Sequence, residues 1–304
     1  MRRTDLPDSP RRRLLLSAAI AGPLLLTPAA RAADGDGDGG HRGTLRLGFT
    51  GVVARSDAET LARFVDYLES RTGYAFEPVF TRTYREMAER LAGGAVDVAY
   101  ICGSSYILLQ ERHDPRLLAA PLIGDRPVYY SLVVVRADSP YRSLEDLRGK
   151  PYAFSDRQSN SGTLVPTYEL NRQGESATSF FHPLIHVNNH AETINALLAG
   201  LVEGTSIGSH AYRHMLSALP ALEDRLRVVE RLGPYPSTPL VARRDLDHGI
   251  AAAVRKALIG MADDPEGAEI LRQFGIDGYG TISRAAYEPI REVVRETLGY
   301  NDVR

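Results

Sequence analysis

From Thr44 onward, short apolar runs alternate with amphipathic stretches, a pattern of strands and helices taking turns. Leu45-Arg46-Leu47-Gly48-Phe49 reads as the first strand. Ser56-Asp57-Ala58-Glu59 has the form of a capping box, after which Leu61, Phe64, Val65 and Leu68 share one helical face until Gly73 ends the element. Thr83-Tyr84-Arg85-Glu86 is a second capping box, and its helix stops at Gly93-Gly94. Val96 to Ile101 then reads as a buried strand that runs into the small-residue turn Cys102-Gly103-Ser104-Ser105 and a helical stretch from Tyr106 to Arg112.

Tyr129 to Val135 predicts another strand, broken by Arg136-Ala137-Asp138-Ser139-Pro140, and a second strand and helix set runs from Pro151 to about Val229. Gly233-Pro234-Tyr235-Pro236-Ser237-Thr238-Pro239 is proline-rich and reads as a connector. Mostly helices follow, with apolar spacing through Ile250, Val254, Leu258 and Met261 and again through Ile290, Val293, Val294 and Leu298. The alternation predicts an α/β fold with mainly parallel sheets. The chain is expected to form two lobes, a discontinuous first lobe from 44–130 plus 233–304 and a second from 131–232.

The N-terminal segment differs in kind. Arg11, Arg12 and Arg13 precede an apolar run from Leu14 to Leu26 that ends in Ala30-Arg31-Ala32. Residues 1–32 thus have the form of a signal peptide cleaved near Ala32, of twin-arginine (Tat) type or of Sec type with a basic start. That places the mature chain in the periplasm. Residues 33–43 are rich in Gly and Asp and predict a disordered leader; their Asp/Gly alternation lacks the twelfth-position Glu of a calcium hand.

The whole chain of 304 residues has a formal charge of -2, and residues 1–32 hold six Arg and two Asp, so the mature chain stands at -2 - 4 = -6. Such a chain is no nucleic-acid binder by charge. Beyond the signal segment no uncharged run of about 18 apolar residues appears, so the mature chain is not expected to span a membrane. Cys102 is the one cysteine, which rules out an internal disulfide.

Helix starts carry the candidate chemistry. Unpaired backbone N–H groups and the helix dipole favour anions there, and the hydroxyls of Ser159 and Ser161 beside such a start, with Asn160 between them, would make an oxyanion cradle. Ser159 would equally serve as a plain N-cap. His190 stands at or near another helix start, where it can donate to an oxyanion. Tyr129 and Tyr130 point to opposite faces of their strand, so one of them is core. Cys102, Gly103 and Ser104 occupy a strand-end turn, the usual place for ligands of open α/β sheets; the thiol is either reactive there or buried as a small hydrophobe.

Two competing chemistries have weaker patterns. Gly204-Thr205-Ser206-Ile207-Gly208 fits the G-x-S-x-G nucleophile elbow of a serine hydrolase, but no apolar strand precedes it. His182, His186 and His190 are spaced by four, as are His210 and His214, without the Cys or acidic partners of known zinc spacings. No metal or cofactor is expected, and the chain is not expected to be an enzyme.

The segment from Gly149 to Pro166, with its Ser159-Asn160-Ser161-Gly162 block, resembles the phosphate/phosphite/phosphonate family of periplasmic substrate-binding proteins. Val96-Asp97-Val98-Ala99, Tyr129-Tyr130-Ser131, His190-Ala191-Glu192-Thr193, Pro265-Glu266-Gly267 and Phe274-Gly275-Ile276 extend the likeness over about residues 44 to 280. The resemblance implies a two-lobed type II periplasmic binding protein fold with a hinge, closing on a small oxyanion for an ABC permease. It also implies that His190 and Tyr130 touch the ligand. One departure is Gly208, where many members carry an acidic residue suited to an ammonium or an acidic P–OH. Another is Cys102, which is similar to the cleft cysteine of the family's arsenic-sensing branch; that implies an alternative role, binding arsenite and signalling to a histidine kinase.

Overall fold

A computed structural model describes residues 41–50 and 58–298. The signal segment, most of the expected leader and the first two residues of the first capping box lie outside the described residues.

In chain order the first half comprises β1 (Thr44–Phe49), α1 (Ala58–Thr72), β2 (Ala75–Phe80), α2 (Tyr84–Ala92), β3 (Val98–Tyr100), α3 (Gly103–Gln110) and β4 (Arg116–Leu122). Next come β5 (Val128–Arg136), β6 (Tyr152–Phe154), α4 (Val165–Arg172), α5 (Ala177–Phe180), β7 (Leu184–His186), α6 (His190–Leu198), β8 (Gly204–Gly208) and α7 (Ser209–Ala218). The chain closes with β9 (Leu226–Pro236), β10 (Leu240–Ala242), α8 (His248–Ile259), α9 (Pro265–Gln273), β11 (Gly278–Gly280) and α10 (Glu288–Leu298).

These strands form two sheets, one of six strands in the order β11-β4-β10-β3-β1-β2 and one of five in the order β7-β6-β8-β5-β9. The fold is thus α/β with two lobes, but the expectation of mainly parallel sheets needs correction. Strand β1 runs parallel to β2 and β3, whereas β10 is antiparallel to both β3 and β4, and β5 is antiparallel to β8 and β9. The reason is topological. The chain leaves the first sheet after β4 and comes back through β9, and the returning segment inserts β10 in the opposite direction between two strands made earlier. Only Leu240, Val241 and Ala242, all buried, form that central strand, too short a run to register as a strand among the helices that follow it.

The proline-rich connector is also shorter than expected. Strand β9 continues through Pro236, with Tyr235 opposite Tyr129 and Pro236 opposite Val128. It lies at the edge of its sheet, where a residue without an N–H leaves no ladder bond unmade. Residues 237–239 then make the crossing to β10.

A buried carboxylate fastens β10 in place. Asp97, just before β3, accepts from Arg46 Nε of β1 at 3.0 Å and from Arg243 Nε, just after β10, at 2.9 Å. The Arg46 backbone N–H also donates directly to Asp97 Oδ2, at 2.8 Å. Burial pushes the Asp97 carboxyl up, but the hydrogen bonds from Arg46 and Arg243 outweigh it and hold the group below its ordinary range.

Where the sheets adjoin, polar contacts span the junction. The Tyr84 N–H at the start of α2 donates to Asp156 Oδ2 at 3.0 Å, and Ser104 Oγ donates to the Gln158 carbonyl. A continuous apolar core also crosses it, from Met87 and Leu91 of α2 through Tyr106 to Phe154, Leu164 and Ile290. No helix among the described residues is long and apolar enough to cross a membrane.

Candidate functional site

A small cavity lies where four helices begin. Cys102 is the N-cap of α3, Ser159 caps the turn of π-helix (Asn160–Leu164) that leads into α4, His190 is the first residue of α6, and Gly208 is the N-cap of α7. Two of these starts are fixed by a capping side chain, whereas Cys102 and Gly208 make no side-chain cap bond. Ser159 Oγ accepts from the Gly162 N–H at 3.1 Å, and Asn189 Oδ1 accepts from the Glu192 N–H at 2.9 Å, which sets His190 at the head of its helix. Gly162 is required by packing: a Cβ on it would sit 2.0 Å from Ser155 Oγ and 2.9 Å from His190 Cε1.

The cavity is lined by Cys102, Ser159, Ser161, His190, His210 and Ala211, with Tyr84, Tyr129, Gly208 and Thr238 completing the wall. Its free volume is about 20 Å³, room for one or two water-sized centres. None of the described lining residues is Lys, Arg, Asp or Glu. Positive potential must come from the helix N-termini, and donors from hydroxyls, imidazoles and backbone N–H groups.

Several lining groups are buried without a hydrogen-bond partner among the described residues: Tyr84 Oη, His190 Nδ1 and both ring nitrogens of His210. Asn160 Oδ1, just behind the wall, shares this state. Burial pulls His190 down to about 4, with the Ser206 backbone opposing. Burial likewise pulls His210 down to about 4; the Val128 backbone opposes this but makes no hydrogen bond of normal geometry. Both rings are therefore neutral at pH 7, each offering one N–H and one lone pair. Burial pushes the Cys102 thiol up, against hydrogen bonds from Ser104 and the Asn160 backbone. Its Sγ lies 3.3 Å from the Asn160 nitrogen and 3.2 Å from Ser104 Oγ.

The residues singled out from sequence divide into three groups. Ser159, Ser161, His190 and Cys102 come together on the cavity wall. Asn160, Gly103 and Ser104 lie behind it: Asn160 Nδ2 donates to Tyr129 Oη at 2.8 Å, Ser104 reaches Gln158, and Gly103 packs under Ile290, whose Cδ1 would be 2.5 Å from an added Cβ. Tyr130 is placed elsewhere, and this is a correction. It faces the opposite side of β5, packs against the buried cluster that includes Leu132 and Val134, and carries Arg231 over its ring at 4.8 Å, while Tyr129 faces the cavity. Strand alternation dictates that only one of the two can point inward, but not which.

Tyr84, Tyr129, His210 and Thr238 were not singled out as ligand groups. Thr238 sits in the crossing segment and Tyr84 at a helix start, positions that only the assembled fold brings near Ser159. The signal for His210 was its place two residues after Gly208, in the first turn of α7. The competing motifs do not assemble. Ser206 lies within β8, not on a turn after it, and its Oγ meets Tyr152 Oη at 2.5 Å. His182, His186 and His190 fall on a loop, on β7 and on α6, so they share no helix face.

Comparison with known proteins bears on this geometry. Residues 51–287 match the family model described as ABC transporter, phosphonate, periplasmic substrate-binding protein. The phosphonates-binding periplasmic protein of Escherichia coli (strain K12) is 22% identical over 252 residues, covering 80% of this chain and 74% of that relative. Among solved structures, a binding protein component of an ABC phosphonate transporter from Pseudomonas aeruginosa superposes with a TM-score of 0.75 at 19% identity, over 82% of this chain and 85% of its own. PhnD1 from Prochlorococcus marinus (MIT 9301), in complex with methylphosphonate, also gives 0.75 at 17% identity, over 83% of this chain and 97% of its own.

Proposed function

The chain belongs to the periplasmic substrate-binding proteins of phosphonate ABC transporters, and on that basis we propose that it captures a small oxyanion of the phosphite, phosphate or phosphonate type in the cavity at the four helix starts. The observation that carries this reading is a buried cavity lined by the hydroxyls and imidazoles of Tyr84, Ser159, Ser161, His190 and His210, with no carboxylate among its described lining residues; at about 20 Å³ it has to widen, as opening of the lobes allows, to admit the anion. In it, the Ser159 and Ser161 hydroxyls and the backbone N–H groups of the first helical turns hold the anion oxygens. His190, His210, Tyr84, Tyr129 and Thr238 complete the shell, and Asn160 positions the Tyr129 hydroxyl. This role falls to Tyr129 in place of Tyr130.

Gly208 narrows the ligand class. A Cβ there would stand 3.0 Å from Ser161 Oγ, inside the space the anion needs, and the described lining residues offer no counter-charge for an ammonium. This reading therefore disfavours aminoalkylphosphonates. In this reading the lobes are 44–130 with 233–304, and 131–232, and the hinge runs through β5 and β9. The arginine-led segment at residues 1–32 directs export, and the loaded protein delivers its anion to an ABC permease.

Cys102 on the wall favours a second reading, in which arsenite is the ligand and a sensor histidine kinase the partner. The thiol would condense with arsenous acid, forming an S–As bond and releasing water. Burial keeps that thiol protonated, which slows such a step.

Calorimetry on the purified protein with phosphite, phosphate, methylphosphonate, arsenate and arsenite separates the two. A ligand binding only the folded state adds about 2.7 kcal/mol of stability at a hundredfold excess over its Kd. Phosphorus oxyanions should bind, and the double variant Ser159→Ala/Ser161→Ala should lose that binding while keeping its melting transition. Binding of arsenite alone, lost in Cys102→Ser, would establish the second reading instead.

A further inference from the structure

A second, apolar chamber adjoins the anion cavity. Phe49, Phe64, Leu240, Phe274, Ile276 and Tyr279 form most of its wall, His214 adds one imidazole, and its volume is about 50 Å³. His210 and Ala211, in the first turn of α7, line both spaces and form the partition between them. Tyr100 lines the chamber and Thr238 the anion cavity. At the partition, the His210 ring tilts against Tyr129 with centroids 5.6 Å apart and has no hydrogen bond to hold it.

We infer that the ligand is an oxyanion bearing a short alkyl substituent, a C3 or C4 alkylphosphonate, with its charged head among the helix starts and its chain in the aromatic chamber. This rests on the oxyanion reading above and deepens it. A water-sized position occupies roughly 10–15 Å³ on this measure, so a chamber of about 50 Å³ takes three or four carbon atoms. The wall chemistry agrees, since the chamber presents mainly rings and aliphatic side chains to an occupant.

The test is a titration of the protein with phosphite and then methyl-, ethyl-, propyl-, butyl- and hexylphosphonate. Affinity should climb roughly fourfold per added methylene, as burial of each CH₂ predicts, up to propyl or butyl and fall at hexyl. Ile276→Phe, which fills the chamber, should flatten the series and leave phosphite binding as it was. Phe274→Ala, at a half-exposed position, should move the optimum to longer chains, and it decides the matter if the first variant does not fold. A flat series in the natural protein, or a series unchanged by Phe274→Ala, overturns the inference while phosphite binding keeps the oxyanion reading intact. Failure of phosphite and every phosphonate to bind overturns both.

Discussion

Two buried polar clusters in this protein are built in opposite ways. At Asp97 the account is complete: the carboxylate accepts from Arg46 and Arg243 side chains and from a backbone N–H, and its partners lie in β1 and directly after β10. At the helix starts the account is left open. Tyr84, His190 and His210 bury donors and acceptors that none of the described residues satisfies. Unpaired buried polar groups cost on the order of 1–3 kcal/mol each, so a cluster of them is tolerated where a ligand completes it. The satisfied cluster holds the fold together, and the unsatisfied one is where the proposed oxyanion would bind.

The largest effect that sharpens this contrast is on pH. His190 and His210 titrate near 4 in the folded protein and near 6.5 when unfolded. Their folded values are depressed, so the unfolded chain binds more protons between these limits. Stability is complete above about pH 6.5 and drains as pH falls toward 4, by roughly 3 kcal/mol for each ring. Asp97 behaves differently, because its folded carboxyl is held low by the two arginines, and its contribution persists until pH falls below about 4. Urea midpoints at pH 7, 5.5 and 4.5 should show the loss, and the double variant His190→Gln/His210→Gln should remove most of it. A slope unchanged in that variant would break the comparison.

Next in size is the satisfied cluster itself. Asp97→Ala leaves two guanidinium groups without their shared acceptor and detaches β10 from its neighbours, and truncating one partner of a buried pair costs about 3–5 kcal/mol. Side-chain exposure of 39% at Arg46 and 24% at Arg243 brings the expectation to the lower end, about 3 kcal/mol. Denaturant unfolding checks it. Oxyanion affinity, measured well below the new melting point, should hardly change, because Asp97 is remote from the cavity wall.

The same contrast explains what the sequence disclosed. Local signals survived folding: Thr83 caps α2 by accepting from the Glu86 N–H, the Ser159 block opens a helix, and His190 begins one. Features that depend on distant pairing did not. The strand at Leu240–Ala242 is central because its register is supplied by β3 and β4, and nothing within three residues announces that. The choice between Tyr129 and Tyr130 needed the direction of β5's pleat, which is set by β8 and β9. Thr238 and Tyr84 become neighbours of Ser159 only through the crossing of the chain.

Gly208→Asp should have an intermediate effect on binding. Its Cβ would lie 3.0 Å from Ser161 Oγ and 3.4 Å from the Tyr129 ring, and a carboxylate there would repel the anion. Phosphite affinity is expected to fall by about 2 kcal/mol, near thirtyfold. An aminoalkylphosphonate should gain in the same variant, since the new carboxylate pairs with its ammonium. Calorimetry with both ligands measures the exchange, and a loss of both would point to collapse of the cavity.

The smallest effect belongs to Cys102→Ser, and it bears most directly on which groups serve the guest. The thiol is buried, its sulfur sits beside the Asn160 N–H and Ser104 Oγ, and burial keeps it neutral at pH 7. A serine hydroxyl is smaller and can accept from the same N–H, so the local hydrogen bonding persists. A neutral thiol adds little to an anion already held by hydroxyls and helix starts, and the expected change in phosphite affinity is under about 1 kcal/mol. Cys102 is also within reach of Tyr84 and Tyr129, whose phenols burial keeps protonated, so no charge in this corner responds to the exchange. A loss of more than tenfold for phosphite in Cys102→Ser would show that the sulfur touches the anion, and would move Cys102 from the wall of the cavity into its binding shell.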